Sequence, residues 1–275
     1  MPDQESVGMM MKSLLIDTTK CIGCRACQVA CKRQNRLSAE KAGSIKGSGY
    51  QNPRHRSSRT WNLITYNEIK TPDGFGWEFG RRQCFHCLEP ACVTACPVGA
   101  LYKKESGAVC YDASRCIGCR YCQIACPFNA PRFEWDKAVP EIKKCDLCDD
   151  LLEQGSMPAC SSTCPTGAIK FGNRQELIEE ARTRIADAPD RYVNHIYGEK
   201  EIGGTCVMHL AGVPFESMGY VSGLSDNALS RQIETPMRMI PFTLTSLAAV
   251  IAGLFWIMNR REEVRNESEE IEGEQ

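Results

Sequence analysis

A chain of 275 residues with 33 Lys and Arg against 34 Asp and Glu has a formal net charge of −1. Such a balance sets up no global field, which excludes a sequence built to grip nucleic acid or an acidic partner by charge alone. The 18 Cys would suggest a disulfide framework in a short secreted chain, but their tight C-x2-C spacings suit metal ligation better.

Lys12 to Ile16 is a short apolar run that reads as a strand. Met1 to Leu15 shows no twin-Arg pair, apolar h-region or small-residue cleavage site, so no export signal is expected there. The strand leads into run one, Cys21-Ile-Gly-Cys24-Arg-Ala-Cys27-Gln-Val-Ala-Cys31. Residues 32–60 form a Gly- and Ser-containing insertion with eight Lys and Arg against Glu40 alone, a local balance of +7. It reads as a solvated loop or as an electrostatic dock for a partner subunit or anionic headgroups. Trp61 to Tyr66 alternates, and with Gly76 to Phe79 across Thr71-Pro-Asp-Gly74 it predicts a hairpin.

Run two is Cys84-x2-Cys87-x4-Cys92-x3-Cys96-Pro97, followed by Val98-Gly-Ala-Leu101. Run three, Cys116-Ile-Gly-Cys119-Arg-Tyr-Cys122-Gln-Ile-Ala-Cys126-Pro127, matches run one at nine of eleven positions as far as its last Cys. One departure is Lys32, which follows Cys31 where the other three runs have Pro. Run four is Cys145-x2-Cys148-x11-Cys160-x3-Cys164-Pro165, and Thr166-Gly-Ala-Ile169 echoes 98–101. This is an internal repeat: runs one and three are equivalent, as are runs two and four.

Asn173 caps a predicted helix with Glu176 as capping-box partner. The helical spacing of Leu177, Ile178, Ala181 and Ile185 predicts a face turned to the cluster core. Residues 191–238 read as an irregular extension, with Thr205 to Leu210 as a possible strand. Ile240 to Met258 is an uncharged run of 19 residues; at 1.5 Å per residue it spans about 28 Å, near the hydrocarbon thickness of a bilayer. A membrane helix over 239–259 is expected, against the alternative of a buried core helix, and Ala249-x3-Gly253 offers it a small face for packing on another helix. Arg260, Arg261 and Arg265 follow it while Arg231 and Arg238 precede it, a bias that points the C-terminus to the cytoplasm and the cluster domain to the outer face. Seven Glu within 262–275 predict a solvated, disordered tail over 260–275.

The run C-x2-C-x2-C-x3-C-P holds iron–sulfur clusters in bacterial-type ferredoxins, with the fourth Cys ligating the other cluster of a pair. Zinc is the alternative for C-x2-C pairs, but zinc sites take two separated pairs, not a third Cys at x2 and a fourth at x3 before Pro. Sixteen of the 18 Cys fall into four complete quartets, so four [4Fe–4S] clusters are expected. Runs two and three lie close in sequence and form one unit, leaving runs one and four to form the other. With the fourth Cys crossing over, the expected sets are Cys21, Cys24, Cys27 with Cys164 (cluster 1) and Cys84, Cys87, Cys92 with Cys126 (cluster 2). Cluster 3 takes Cys116, Cys119, Cys122 with Cys96, and cluster 4 takes Cys145, Cys148, Cys160 with Cys31. The fold expected over 1–190 is α+β: two interleaved bacterial-type dicluster ferredoxin units with four clusters in a file. A C-terminal transmembrane helix follows. Cys110 and Cys206 read as buried free thiols. His86, inside Cys84-Phe-His-Cys87, reads as a group beside a cluster or at the surface and not as a ligand. No catalytic constellation, phosphate loop or dinucleotide fingerprint is present, so the chain reads as a wire and not an enzyme by itself.

Over roughly residues 11–260 the four runs resemble the four-cluster ferredoxin subunits of membrane-bound, modular respiratory oxidoreductases. The single C-terminal helix brings it closest to the β subunit of formate dehydrogenase N and to the iron–sulfur subunit of nickel–iron uptake hydrogenases. Ile196-Tyr-Gly-Glu-Lys-Glu-Ile-Gly-Gly-Thr205 and Ala211-Gly-Val-Pro-Phe215 resemble the hydrogenase type somewhat more. The resemblance implies a catalytic partner, either nickel–iron hydrogenase or molybdenum or tungsten formate dehydrogenase. It also implies an integral membrane partner of cytochrome b or quinone-reactive type. Service to a dimethyl-sulfoxide or polysulfide reductase is the alternative, and relatives there usually lack the helix.

Overall fold

The computed structural model describes residues 11–40, 51–71 and 74–273. Outside that description lie most of the stretch read for an export signal, the 41–50 part of the basic insertion, the Pro72-Asp73 turn and the last two residues. The chain divides into two units, Met1–Arg231 and Gln232–Gln275.

In the first unit, β1 (Lys12–Asp17) leads through a 3-10 turn, Thr18–Lys20, into run one, whose last two cysteines ride on α1 (Ala26–Gln34). β2 (Leu63–Thr71) and β3 (Gly74–Arg82) form the expected hairpin, antiparallel from Leu63 opposite Arg82 to Thr71 opposite Gly74. α2 (Ala91–Thr94) carries Cys92, and β4 (Leu101–Lys103) and β5 (Val109–Tyr111) pair after it. Run three has its own 3-10 turn, Ala113–Arg115, and α3 (Tyr121–Ala125). β6 (Arg132–Phe133) and β7 (Ile142–Lys143) pair briefly. α4 (Asp149–Glu153) and α5 (Ala159–Ser162) belong to run four. β8 (Ile169–Asn173) then leads into α6 (Arg174–Asp187).

The cysteine repeat is also a backbone repeat. Asp17 and Asp112 cap the two 3-10 turns, accepting from the Thr19 and Ser114 amides at 3.2 and 2.9 Å. Arg25 and Arg120 both stand in the left-handed region, at φ 61° and 63°. The one departure in sequence sets helix length: Pro127 forces Cys126 into extended backbone (φ −88°, ψ 110°) and ends α3, whereas Lys32 lets α1 run on to Gln34. Strand register repeats too. Leu101, five after Cys96, faces Tyr111, five before Cys116; Ile169, five after Cys164, faces Ile16, five before Cys21. α1 packs on α5, and α2 on α3. Run one thus packs with run four and run two with run three, interleaved in an α+β fold.

β9 (Val207–Leu210) joins β1 in parallel, giving the sheet order β8-β1-β9. Asn173 caps α6 as predicted, its Oδ1 accepting from the Gln175 amide at 3.0 Å. The apolar face of α6 does not meet the cluster core, however. Leu177, Ile178 and Ala181 bury against Leu15, Tyr192, Ile196, Met208 and Leu210. Alternation explains this: Leu14 and Ile16 of β1 point toward the cysteine side, so Leu15 between them points away and needs its own cover. Arg184 of α6 (2.9 Å) and the Tyr192 hydroxyl (2.8 Å) reach the fully buried Asp17 carboxylate, tying helix, strand and run one together.

The second unit is made by α7 (Leu229–Gly273), whose stretch Leu229–Arg265 is long enough to cross a membrane and holds an 18-residue window of mean hydropathy 1.9, none of it buried. The helix continues through the acidic stretch read from sequence as disordered. Glu and Arg are good helix formers, and Arg260–Glu263 (3.0 Å) and Arg265–Glu262 (3.6 Å) pair one turn apart.

Candidate metal centres

Cys21, Cys24, Cys27 and Cys164 line one cavity, walled by Ile16, Ile64, Phe79 and Arg81. Its counterpart in the other unit is lined by Cys96, Cys116, Cys119 and Cys122, with Leu101, Tyr111 and Ile142 behind them. Cys87 lies within electrostatic reach of Cys126, Cys92 and Cys84. Cys31 lies near Cys160 and Cys148, and Cys145 near Cys31 and Cys148. In each group three cysteines of one run meet the last cysteine of its partner run. Cys110 and Cys206 stay outside these groups as buried thiols, 5% and 0% exposed, with Lys103 Nζ 3.5 Å from Cys206 Sγ.

The groups fit iron–sulfur cubanes on three counts. Burial above all, with neighbouring cysteines adding to it, pushes Cys27 up to about 11 and Cys31, Cys122 and Cys148 up to about 12. Such thiols hold their protons unless a cation replaces them, as iron does. Backbone amides are aimed at the sulfurs: Ala100 to Cys96 (3.2 Å) and Gly118 to Cys116, Ala130 to Cys126 and Leu147 to Cys145 (each 3.4 Å). At Cys164, burial raises the thiol, but the Ile169, Thr166 and Ala168 amides and the Thr166 hydroxyl outweigh it and hold it below its ordinary value. Finally, Cys21, Cys24, Cys27 and Cys164 stand around one hollow, and Cys96, Cys116, Cys119 and Cys122 around another. A lone zinc needs sulfurs converging at about 2.3 Å, whereas a cubane is wrapped by ligands spread around a larger body.

Three buried polar residues beside the cysteines carry no sequence motif. Arg81, at the end of β3, is 2% exposed. Burial works against its charge, but Cys160, Cys27 and Cys145 outweigh that and raise its pKa. Its Nε and Nη1 have no partner among the described residues, which leaves two donors in the wall of the Cys21 cavity for cluster sulfides. Lys144 is 4% exposed and donates to the Cys145 carbonyl at 2.7 Å and to that of Val109. Burial lowers it, yet Cys84, Cys92 and Cys145 bring it above its ordinary value. His86, read from sequence as lying beside a cluster or at the surface, is fully buried. The only signal available for Arg81 and Lys144 was a charge near the end of a strand or beside a Cys.

Approaches between groups run in one order. Cys27 and Cys160 link the Cys21 group to the Cys148 group, Cys145 and Cys84 link that group to the Cys87 group, and Cys92 and Cys122 link the Cys87 group to the Cys119 group. Residues 20–100 match one 4Fe-4S dicluster domain family and residues 75–174 another. Hydrogenase-2 operon protein HybA of Escherichia coli O157:H7 is 34% identical, the match covering 90% of this chain and 84% of that protein. The formate dehydrogenase-O iron-sulfur subunit of Escherichia coli K12 is also 34% identical, over 95% of this chain and 89% of that one.

The chain belongs to this family of 4Fe-4S iron–sulfur subunits. The nitrate-inducible formate dehydrogenase iron-sulfur subunit of the same strain is 40% identical over 71% of this chain and 66% of its own length. As a member of the family the chain is an electron-transfer subunit, and its two dicluster domains imply four [4Fe–4S] clusters. The matched segments follow the order of the chain, running from run one to run two and from run two to run four. The spatial pairing is different, with run one beside run four.

Proposed function

We propose that this subunit, with no catalytic site of its own, relays electrons between two partners. One is the catalytic subunit of a nickel–iron hydrogenase or of a molybdenum or tungsten formate dehydrogenase. The other is an integral membrane subunit of cytochrome b or quinone-reactive type. The ligand sets are Cys21, Cys24, Cys27, Cys164 (cluster 1); Cys84, Cys87, Cys92, Cys126 (cluster 2); Cys116, Cys119, Cys122, Cys96 (cluster 3); and Cys145, Cys148, Cys160, Cys31 (cluster 4). Each bound cluster supplies reversible one-electron chemistry. The chain's own residues space the clusters, desolvate them and offset their charge. The observation that carries the reading is the serial order 1–4–2–3. Its two ends reach the surface, where Ile22 beside Cys21 is 59% exposed and Ile117 beside Cys116 is 65% exposed. A chain that only bound metal for stability would have no use for such a file.

α7 is read as a single span of the cell membrane, with the cluster unit on the outer face. The excess of Arg beyond its C-terminal end supports that orientation. The complex, purified anaerobically from native membranes, tests the whole proposal. Hydrogen or formate should bleach the cluster absorbance, and the effective one names the catalytic partner. Reduction by a quinol and by neither substrate would overturn the proposal in favour of a subunit feeding a terminal reductase.

A further inference from the structure

The third position of each C-x-x-C pair adopts the same left-handed backbone. Gly23, His86, Gly118 and Leu147 stand there at φ 67°, 49°, 70° and 64°. Glycine takes that conformation freely and other residues are strained in it. Leu147 is 1% exposed and packs into the main apolar core, so its strain is matched by burial. His86 is fully buried as well, and what it makes there is polar. Its Nδ1 accepts the Val109 amide hydrogen at 2.9 Å, so Nδ1 carries no proton and the ring hydrogen sits on Nε2. Nε2 is 3.4 Å from Cys145 Sγ. The His86 carbonyl is held in turn, accepting from Lys103 Nζ and from the Cys206 amide, each at 3.1 Å. The ring is therefore fixed at both nitrogens and its peptide at the oxygen.

His86 is bonded directly to Cys87, in the set of cluster 2, and donates to Cys145, in the set of cluster 4. We propose that His86 is a positioning residue that couples these two inner clusters: its Nε2–H hydrogen bond to Cys145 Sγ raises the reduction potential of cluster 4 and completes a bonded path to it from cluster 2. The inference rests on the ligand sets proposed above. A donor to a cluster-bound thiolate favours the reduced state, which carries more negative charge. The transfer itself moves one electron from one cluster to the other, and the Nε2 proton stays on the ring.

The test is an EPR-monitored redox titration of the intact complex from native membranes carrying His86→Leu, His86→Gly or His86→Gln. Gly suits the backbone and so separates loss of the hydrogen bond from misfolding, while Gln restores an N–H donor. His86→Leu and His86→Gly should each lower the potential of one cluster by at least about a threefold change in its equilibrium, or about 28 mV for one electron. His86→Gln should recover most of the shift, with iron and sulfide content unchanged. A cluster signal that moves in His86→Leu but not in His86→Gly would assign the effect to packing and overturn the proposal. So would four unmoved potentials in His86→Gly. Cys145→Ser separates the two layers of the argument. If it alters no cluster signal, the ligand set fails. If it alters one signal that His86→Gly leaves in place, the ligand set stands and the coupling fails.

Discussion

On the proposed ligand sets, replacing Arg81 by Met should lower the potentials of clusters 1 and 4 together. The guanidinium is 2% exposed and lies beside Cys160, Cys27 and Cys145, thiols of the two neighbouring sets. Reduction adds a negative charge to a cluster, so a fixed positive charge nearby favours the reduced form, and losing that charge drives the potential down. At an effective dielectric constant of about 20, a unit charge about 8 Å from a cluster contributes about 2 kcal/mol, which for a single electron is about 90 mV. Cluster 2 should hardly move, because the cations felt by Cys87, Cys92 and Cys126 are Lys103, Lys144 and Arg56, and cluster 3 lies beyond it in the file. Arg81→Lys keeps the charge and serves as the control. The assay is a redox titration followed by EPR on the intact complex. Equal displacement of all four clusters, or a shift under about 20 mV at clusters 1 and 4, would refute the electrostatic argument.

Two contrasts inside the repeat give further predictions. A Cβ on Gly23 would come within 2.7 Å of the Phe79 ring, whereas at Gly118 the nearest atom, on Phe133, is 3.9 Å away. Gly118→Ala should therefore cost only the left-handed strain, about 1–2 kcal/mol, and Gly23→Ala roughly 1–3 kcal/mol more for overpacking; thermal loss of cluster absorbance should rank them in that order. The crossover of ligands predicts that Cys31→Ser alters the same EPR signal as Cys160→Ser, and Cys126→Ser the same signal as Cys92→Ser. If Cys31→Ser instead altered the signal disturbed by Cys21→Ser, each run would hold its own cluster and the crossover would be refuted.

What could be read from sequence was whatever repeats or has a period. The cysteine spacing, the matched segments after Cys96 and Cys164, and the uncharged run near the C-terminus each occupy consecutive residues, so local reading found them. The run-one and run-four pairing was legible only by elimination, since Ile16 and Ile169 meet across 153 residues. The face of α6 was read correctly as apolar but assigned to the wrong neighbour. Helical spacing says that a face is buried and not what buries it, and the strand that supplies Met208 and Leu210 lies beyond the helix in a stretch with weak signals. Arg81 and Lys144 were invisible for a different reason. Each stands in a pair of cations, Arg81-Arg82 and Lys143-Lys144, and such a pair reads as exposed until its neighbours across the hairpin and the cysteine loops are known.

The same register in both units raises a question of cost, because the two pairings close very different lengths of chain. Leu101 and Tyr111 are ten residues apart and Ile169 and Ile16 are 153 apart. By loop-closure entropy the outer pairing is disfavoured by about 2–2.5 kcal/mol relative to the inner one. The fold compensates in the outer unit alone. β4 and β5 remain a two-stranded pair, whereas β1 and β8 gain β9 as a third strand. α6 adds Leu177, Ile178 and Ala181 over the far side of that sheet. Burying two or three such side chains contributes several kcal/mol at about 1.5–3 kcal/mol for each large one, enough to offset the closure difference. The segment after α6 thus has a structural reason to return to β1, holding the last cysteine of run four against the first three of run one. Its placement of Val207, Met208 and Leu210 therefore bears on the proposed cluster 1, to whose ligand set it supplies no cysteine.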